Sequence, residues 1–100
     1  AELIADDPRQ IEVYYAAMDG LDGEAVAALA VALLRGASQF GQAAEGGAVG
    51  TVVVELAAGP AVIAVLDDRH TLVVLTYPDR DLGQLLFDIR RDRSRLSQAV

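Results

Sequence analysis

The stretch from Asp22 to Gly41, DGEAVAALAVALLRGASQFG, is too apolar to be an ordinary surface helix. Set at 100° per residue, it places Val26, Leu29, Ala30, Leu33, Ala37 and Phe40 on one side, the expected core stripe. Val31, Leu34 and Ala27 lie on one flank of that stripe. Ala25, Ala28, Ala32 and Gly36, all small, line the other. Glu24, Arg35 and Gln39 share a narrow polar strip. A helix apolar over most of its circumference is normally covered on more than one side. One cover is a sheet of the same chain. In a chain of 100 residues the expected second cover is another copy, and the small flank would let two helix backbones approach closely. The plainer alternative is an Ala-rich helix whose alanines tolerate water.

The length fits a single domain over residues 1–100, and a dimer interface would add to its modest core. With 53% hydrophobic residues the chain is not disordered. The absence of Cys excludes a disulfide framework and thiolate chemistry. No apolar run approaches the ~18 residues of a membrane span. No charged-then-apolar leader opens the chain, so the cytoplasm is the expected compartment. All eight basic residues are Arg, which with abundant Ala, Val and Gly suggests a GC-rich bacterial genome. Residues 1–81 carry thirteen acids against four arginines, a net of −9; residues 82–100 carry four arginines against two acids, a net of +2. An acidic body argues against nucleic-acid binding, which requires a basic surface to displace counterions.

In chain order, residues 2–6 and 11–17 read as a hairpin of two strands around the turn-forming Asp6-Asp7-Pro8-Arg9, with a helix from Pro8 as the rival. Asp22 is placed to cap the central helix and Leu21 to pack on its first turn. Gly46-Gly47 lies in a loop. Three β-branched runs follow: Val49–Leu56, Ala61–Leu66 and Thr71–Tyr77, separated by turns at Gly59-Pro60 and Asp67–His70. Short turns predict antiparallel pairing, and nearly continuous apolar runs predict a sheet covered on both faces. Pro78 ends the last strand. Asp81 is placed to cap a helix from Leu82 to about Ala99, with Leu82, Leu85, Leu86, Ile89, Leu96 and Val100 as its core stripe and Arg93 in the middle of it. The expected fold is α+β, a five-stranded antiparallel sheet in the chain order β-β-α-β-β-β-α.

This order resembles the roadblock / dynein light chain family, closest to bacterial members that accompany small Ras-like GTPases. The residues that carry the resemblance are GLDGEAVAALAVALLRGA in the first helix, the VVVEL strand, and DRDLGQLLFDIRR, where Asp81-Leu82-Gly83 runs into Leu85, Leu86 and Arg90-Arg91. It implies a five-stranded sheet between one helix on one face and two on the other. The family pattern has a helix before the first strand; reading the given sequence as starting at that strand, the expectation is that Arg93 snorkels into the space the helix would fill. The resemblance further implies pairing of two copies through the central helix and the strand after it. Ala25, Ala28, Ala32, Gly36, Val49, Thr51 and Val53 are the expected interface. That strand is long and apolar, with Glu55 its only charge, and an unblocked edge of this kind invites pairing. The implied role is a scaffold that seats a GTPase or related signalling protein, with Glu24, Arg35 and Gln39 as the expected partner-facing residues.

Catalytic chemistry is not expected. His70 is the only His and reads as a solvated turn residue beside Asp67, Asp68 and Arg69. Asp67, Asp68, Asp79 and Asp81 would suit a hard cation, but turn formation and capping explain them more simply. Ser38, Ser94 and Ser97 have no paired base in the sequence, and Gly46-Gly47 lacks the rest of a phosphate-cradling motif. No cofactor or metal is therefore expected. Arg90, Arg91, Arg93 and Arg95 hold half the positive charge and could meet an acidic partner or an anionic membrane surface; Arg91 and Arg95 share a face and the others lie elsewhere, so the plainer reading is a solvated helix C-terminus. The competing functional class is a sensory or small-ligand-binding module that uses a face left bare by the missing helix.

Overall fold

The computed structural model describes residues 2–6, 13–15, 23–76, 78–79 and 81–98, the first two segments as backbone only. The Asp22 cap, the turn at residues 7–9, Tyr77, Ala99 and Val100 lie outside the described residues. The fold is α+β. Its centre is an antiparallel sheet of β3 (Thr51–Leu56), β4 (Gly59–Val65) and β5 (His70–Leu75), with α1 (Gly23–Ala43) and α2 (Leu82–Gln98) on opposite faces. β1 (Glu2–Asp6) and β2 (Val13–Tyr15) continue the sheet beyond β5, in the order β2-β1-β5-β4-β3.

Pleating assigns the faces, because antiparallel partners point to the same side. Val52↔Ile63 and Ile63↔Val73 put these three side chains toward α1. There Ile63 and Val73 pack with Ala30, and Val26, Leu34, Val52 and Leu75 close around them. Val62, Ala64, Leu72 and Val74 point the other way and meet Leu85 and Ile89 of α2, with Leu82, Leu86 and Leu96 alongside. A run such as Ala61–Ala64, buried at every position, is therefore what a strand covered on both faces requires.

The β3–β4 turn falls at Ala57-Ala58, two residues before the expected Gly59-Pro60. Gly59 opens β4 with φ 133°, a conformation that favours Gly. Pro60 follows near the start of the strand, where its missing N–H disrupts the ladder least. Its carbonyl accepts from the Thr76 amide and hydroxyl, at 3.2 and 2.7 Å. Asp81 caps α2 as its position predicts: its carboxylate accepts from the Gln84 amide at 3.0 Å. The end of α1 is a Schellman motif, with Gly46 N–H donating to the Gly41 carbonyl and Glu45 N–H to that of Gln42. Glu45 holds the left-handed position at φ 55°.

One expectation is overturned in part. Of the expected stripe Ala30 is buried against the sheet and Val26 packs beside it, but the rest of the buried face is Gly23, Ala27 and Val31, with Leu34 alongside. Leu29, Leu33 and Phe40 are 65%, 48% and 75% exposed. The wheel identified an apolar circumference but not which part of it the sheet would take.

Candidate interaction surface

The expected interface residues of α1, Ala25, Ala28, Ala32 and Gly36, are all exposed, and a Cβ on Gly36 would meet nothing within 4 Å. Helical geometry sets them beside Leu29, Leu33 and Phe40. The bare surface is thus larger than the small flank alone. Glu24, Arg35 and Gln39 are exposed along its margin.

β3 is the sheet's outer strand, hydrogen-bonded to β4 on one side only among the described strands. Between it and α1 lies an open apolar groove of about 340 Å³, with Leu29 and Leu33 on one wall, Val54 and Leu56 on the other and Ile63 in its floor. On β3 the side chains that share α1's face are Val52, Val54 and Leu56. Thr51 and Val53 point to the α2 face, so they adjoin the α1 surface only through the strand backbone. Val49 is half-buried before β3, against the position a Gly41 side chain would take. Leu29, Leu33, Phe40, Val54 and Leu56 are the members of this surface that sequence reasoning missed. The available signal was that α1 carries more apolar residues than one sheet face can cover.

The α2 face differs in chemistry. Arg91 lies 3.3 Å from Asp88 and 3.1 Å from Asp92, and Arg95 lies 3.1 Å from Asp92. The hydrogen bond from Arg91 holds the Asp92 carboxyl below the ordinary carboxylate range. Arg91 also lies over the Phe87 ring, 5.6 Å from its centroid. Arg93 reaches toward β3, donating from Nη2 to Thr51 Oγ1 at 3.3 Å.

His70 is not a freely solvated turn residue. It is half-buried, with Nδ1 2.9 Å from Asp67 Oδ1. The same carboxylate accepts from the Arg69 and His70 amides at 2.8 Å and from the Ser97 hydroxyl near the end of α2. Partial burial pushes the Asp67 carboxyl up, but the bonds from Ser97, Arg69 and His70 outweigh it and leave it far below the usual range. This cluster ties the β4–β5 turn to α2. Its Ser is bonded to the carboxylate rather than to the imidazole, so it is not wired as a nucleophile–base pair. Among the described residues no three His, Cys, Asp or Glu side chains are placed to hold a metal, and no helix is long and apolar enough to cross a membrane.

No family model matches this sequence, and no curated protein does. Solved structures do. The Roadblock/LC7 domain from Streptomyces avermitilis shares 22% identity with this chain at a TM-score of 0.77, covering 98% of this chain and 82% of that one. MglB from Myxococcus xanthus is similar at a TM-score of 0.83 with 15% identity, covering 98% and 80%. The fold is that of roadblock domains, and the resemblance carried by the sequence motifs holds at that level.

Proposed function

We propose that residues 1–100 are a single roadblock-like domain acting as a non-enzymatic homodimeric scaffold, a regulatory platform for a small Ras-like GTPase or related signalling partner. In this reading the five strands of two copies join across β3 in a bacterial, cytoplasmic protein. The observation that carries it is the continuity of a bare apolar helix face with a strand edge that has no partner among the described residues. Either alone is a liability in a free monomer, and both are covered by one two-fold operation. The α1 face is also self-complementary. About a two-fold axis passing between residues 34 and 35, antiparallel helices set Leu33 against Gly36 of the second copy and Phe40 against Leu29. Large meets small at the first pair, and two large apolar groups cover each other at the second. Likeness to roadblock structures, MglB among them, supports the GTPase as the partner class. The apolar groove favours one rival, a small-ligand module, which predicts a monomer stabilised by an apolar ligand.

The test combines gel filtration with light scattering and a pull-down against the small GTPase encoded nearest this gene, loaded with GDP or a GTP analogue. The expected result is a dimer that captures one nucleotide state preferentially, and an Arg35→Glu dimer that captures it more weakly. Arg is enriched among interface hot spots, and Arg35 is the exposed cation beside the two-fold. A monomeric wild type sinks the dimer. A wild-type dimer that binds neither nucleotide state at tens of micromolar sinks the platform for that partner.

A further inference from the structure

The two flanks of α2 are not electrically alike. On the flank away from β3, Arg91 and Arg95 are matched to Asp88 and Asp92. On the flank toward β3, Arg90 and Arg93 stand three residues apart on one side of the helix, and among the described residues neither has a carboxylate partner. Arg93 is half-buried: its one hydrogen bond is to a neutral hydroxyl, and its Nε is sealed from solvent with no acceptor. A guanidinium withdrawn from water without a counter-charge is electrostatically under-compensated. Next to it on the α2 face of β3 come Thr51 and Val53, paired with Ala64 and Val62. Val53 is 41% exposed, and Phe87 on the same helix is 58% exposed.

We propose that this flank, Arg90 and Arg93 beside Val53 on the sheet face opposite α1, is a second docking surface that takes a carboxylate-bearing, apolar segment of a protein partner. Charge complementarity selects the occupant. Such a carboxylate would supply the counter-charge the two arginines lack, in a chain whose net charge is −7 and whose other α2 arginines are already paired. An anionic membrane is disfavoured, because a broad sheet of headgroups would also meet Glu55, two residues beyond Val53 on the same face, whereas a single carboxylate need meet only the two arginines. Val53 lies on β3, so a dimer joined across that strand would carry this surface beside its seam, once in each copy.

The probe is a fluorescein-labelled amphipathic helical peptide of Leu and Glu, titrated into the intact chain by anisotropy and mapped by amide NMR shifts. A Leu/Lys counterpart and phosphatidylserine vesicles form separate arms. The Leu/Glu peptide should bind below 1 mM, on the order of the weak contacts such a surface supports, and shift Thr51, Val53 and Arg90. Arg90→Glu, at an exposed position, should weaken it about fivefold or more, and Arg90→Gln by less, while Arg91→Glu, with the same change in net charge, changes it little. No Leu/Glu binding at 1 mM overturns the proposal. So does equal binding of the Leu/Lys peptide, equal loss in Arg90→Glu and Arg91→Glu, or preferential capture by the vesicles.

Discussion

α1 and α2 do the same work on opposite faces of one sheet and differ in almost everything else. Each buries one stripe against the strands. α1, with 21 residues, carries only Glu24 and Arg35 as charges, and its outward side includes Leu29, Leu33 and Phe40. α2, with 17 residues, carries six charges from Asp88 to Arg95, and three of its four arginines find a partner within the chain. Their ends differ too. α1 is closed by backbone, through the Schellman motif, whereas α2 is tied at Ser97 to Asp67 in a turn 30 residues away. The contrast separates holding the fold together from what is left for other molecules. Apart from the Arg90–Arg93 flank and Phe87, the outer surface of α2 is charged and polar; that of α1 is apolar.

The largest effect that would break this contrast is a charge on the outer side of α1. Ala32→Arg should convert the proposed dimer to monomer or aggregate, since burying an unpaired charge between two helices costs several kcal/mol. Ser94→Arg, on the exposed side of α2, should leave the mass unchanged in light scattering. A native-mass dimer in Ala32→Arg places the interface elsewhere.

Next comes the end of α1. A Cβ at Gly41 would stand 2.7 Å from the Gly47 carbonyl oxygen, a backbone atom that cannot swing aside. Gly41→Ala should therefore cost about 1–3 kcal/mol in urea unfolding. No loss of stability would mean that the loop after α1 yields freely.

The end of α2 should show a smaller, pH-dependent effect. The Asp67 carboxyl is held below its unfolded value, so its contribution is complete above the unfolded pKa of about 4 and is lost as pH falls further. Asp67→Asn should cost about 1–2 kcal/mol at pH 7 and flatten the decline in stability on acidification from pH 4 to pH 2. An unchanged acid slope would show that the tie at Ser97 and His70 does not contribute.

Legibility followed the range of the interaction. The α2 start was readable because an N-cap is local: Asp81 and Gln84 are three residues apart. β3, β4 and β5 were readable from β-branched density and short turns, although the β3–β4 turn was displaced because Gly59 itself belongs to β4. The orientation of α1 was hidden, since a helix with two apolar sides does not say which one its own sheet takes. The Asp67 cluster was half legible: the Asp67–His70 spacing marks a turn, but Ser97 enters through tertiary packing. The direction Arg93 takes depends on a strand 42 residues earlier. In the candidate surface the small flank was found from the sequence, and the larger residues that complete it were assigned to the core instead.

The exposure of Leu29, Leu33 and Phe40 bears on abundance as well as shape. Whatever covers them binds only the folded chain, so the folded state is favoured by mass action in proportion to the supply of that cover. If the cover is a second copy, the chain becomes a reporter of its own concentration. Its melting temperature should rise with each dilution step reversed, and a cell making too little of it would hold a less stable protein. Synthesis rate then becomes a determinant of fold stability, alongside the sequence.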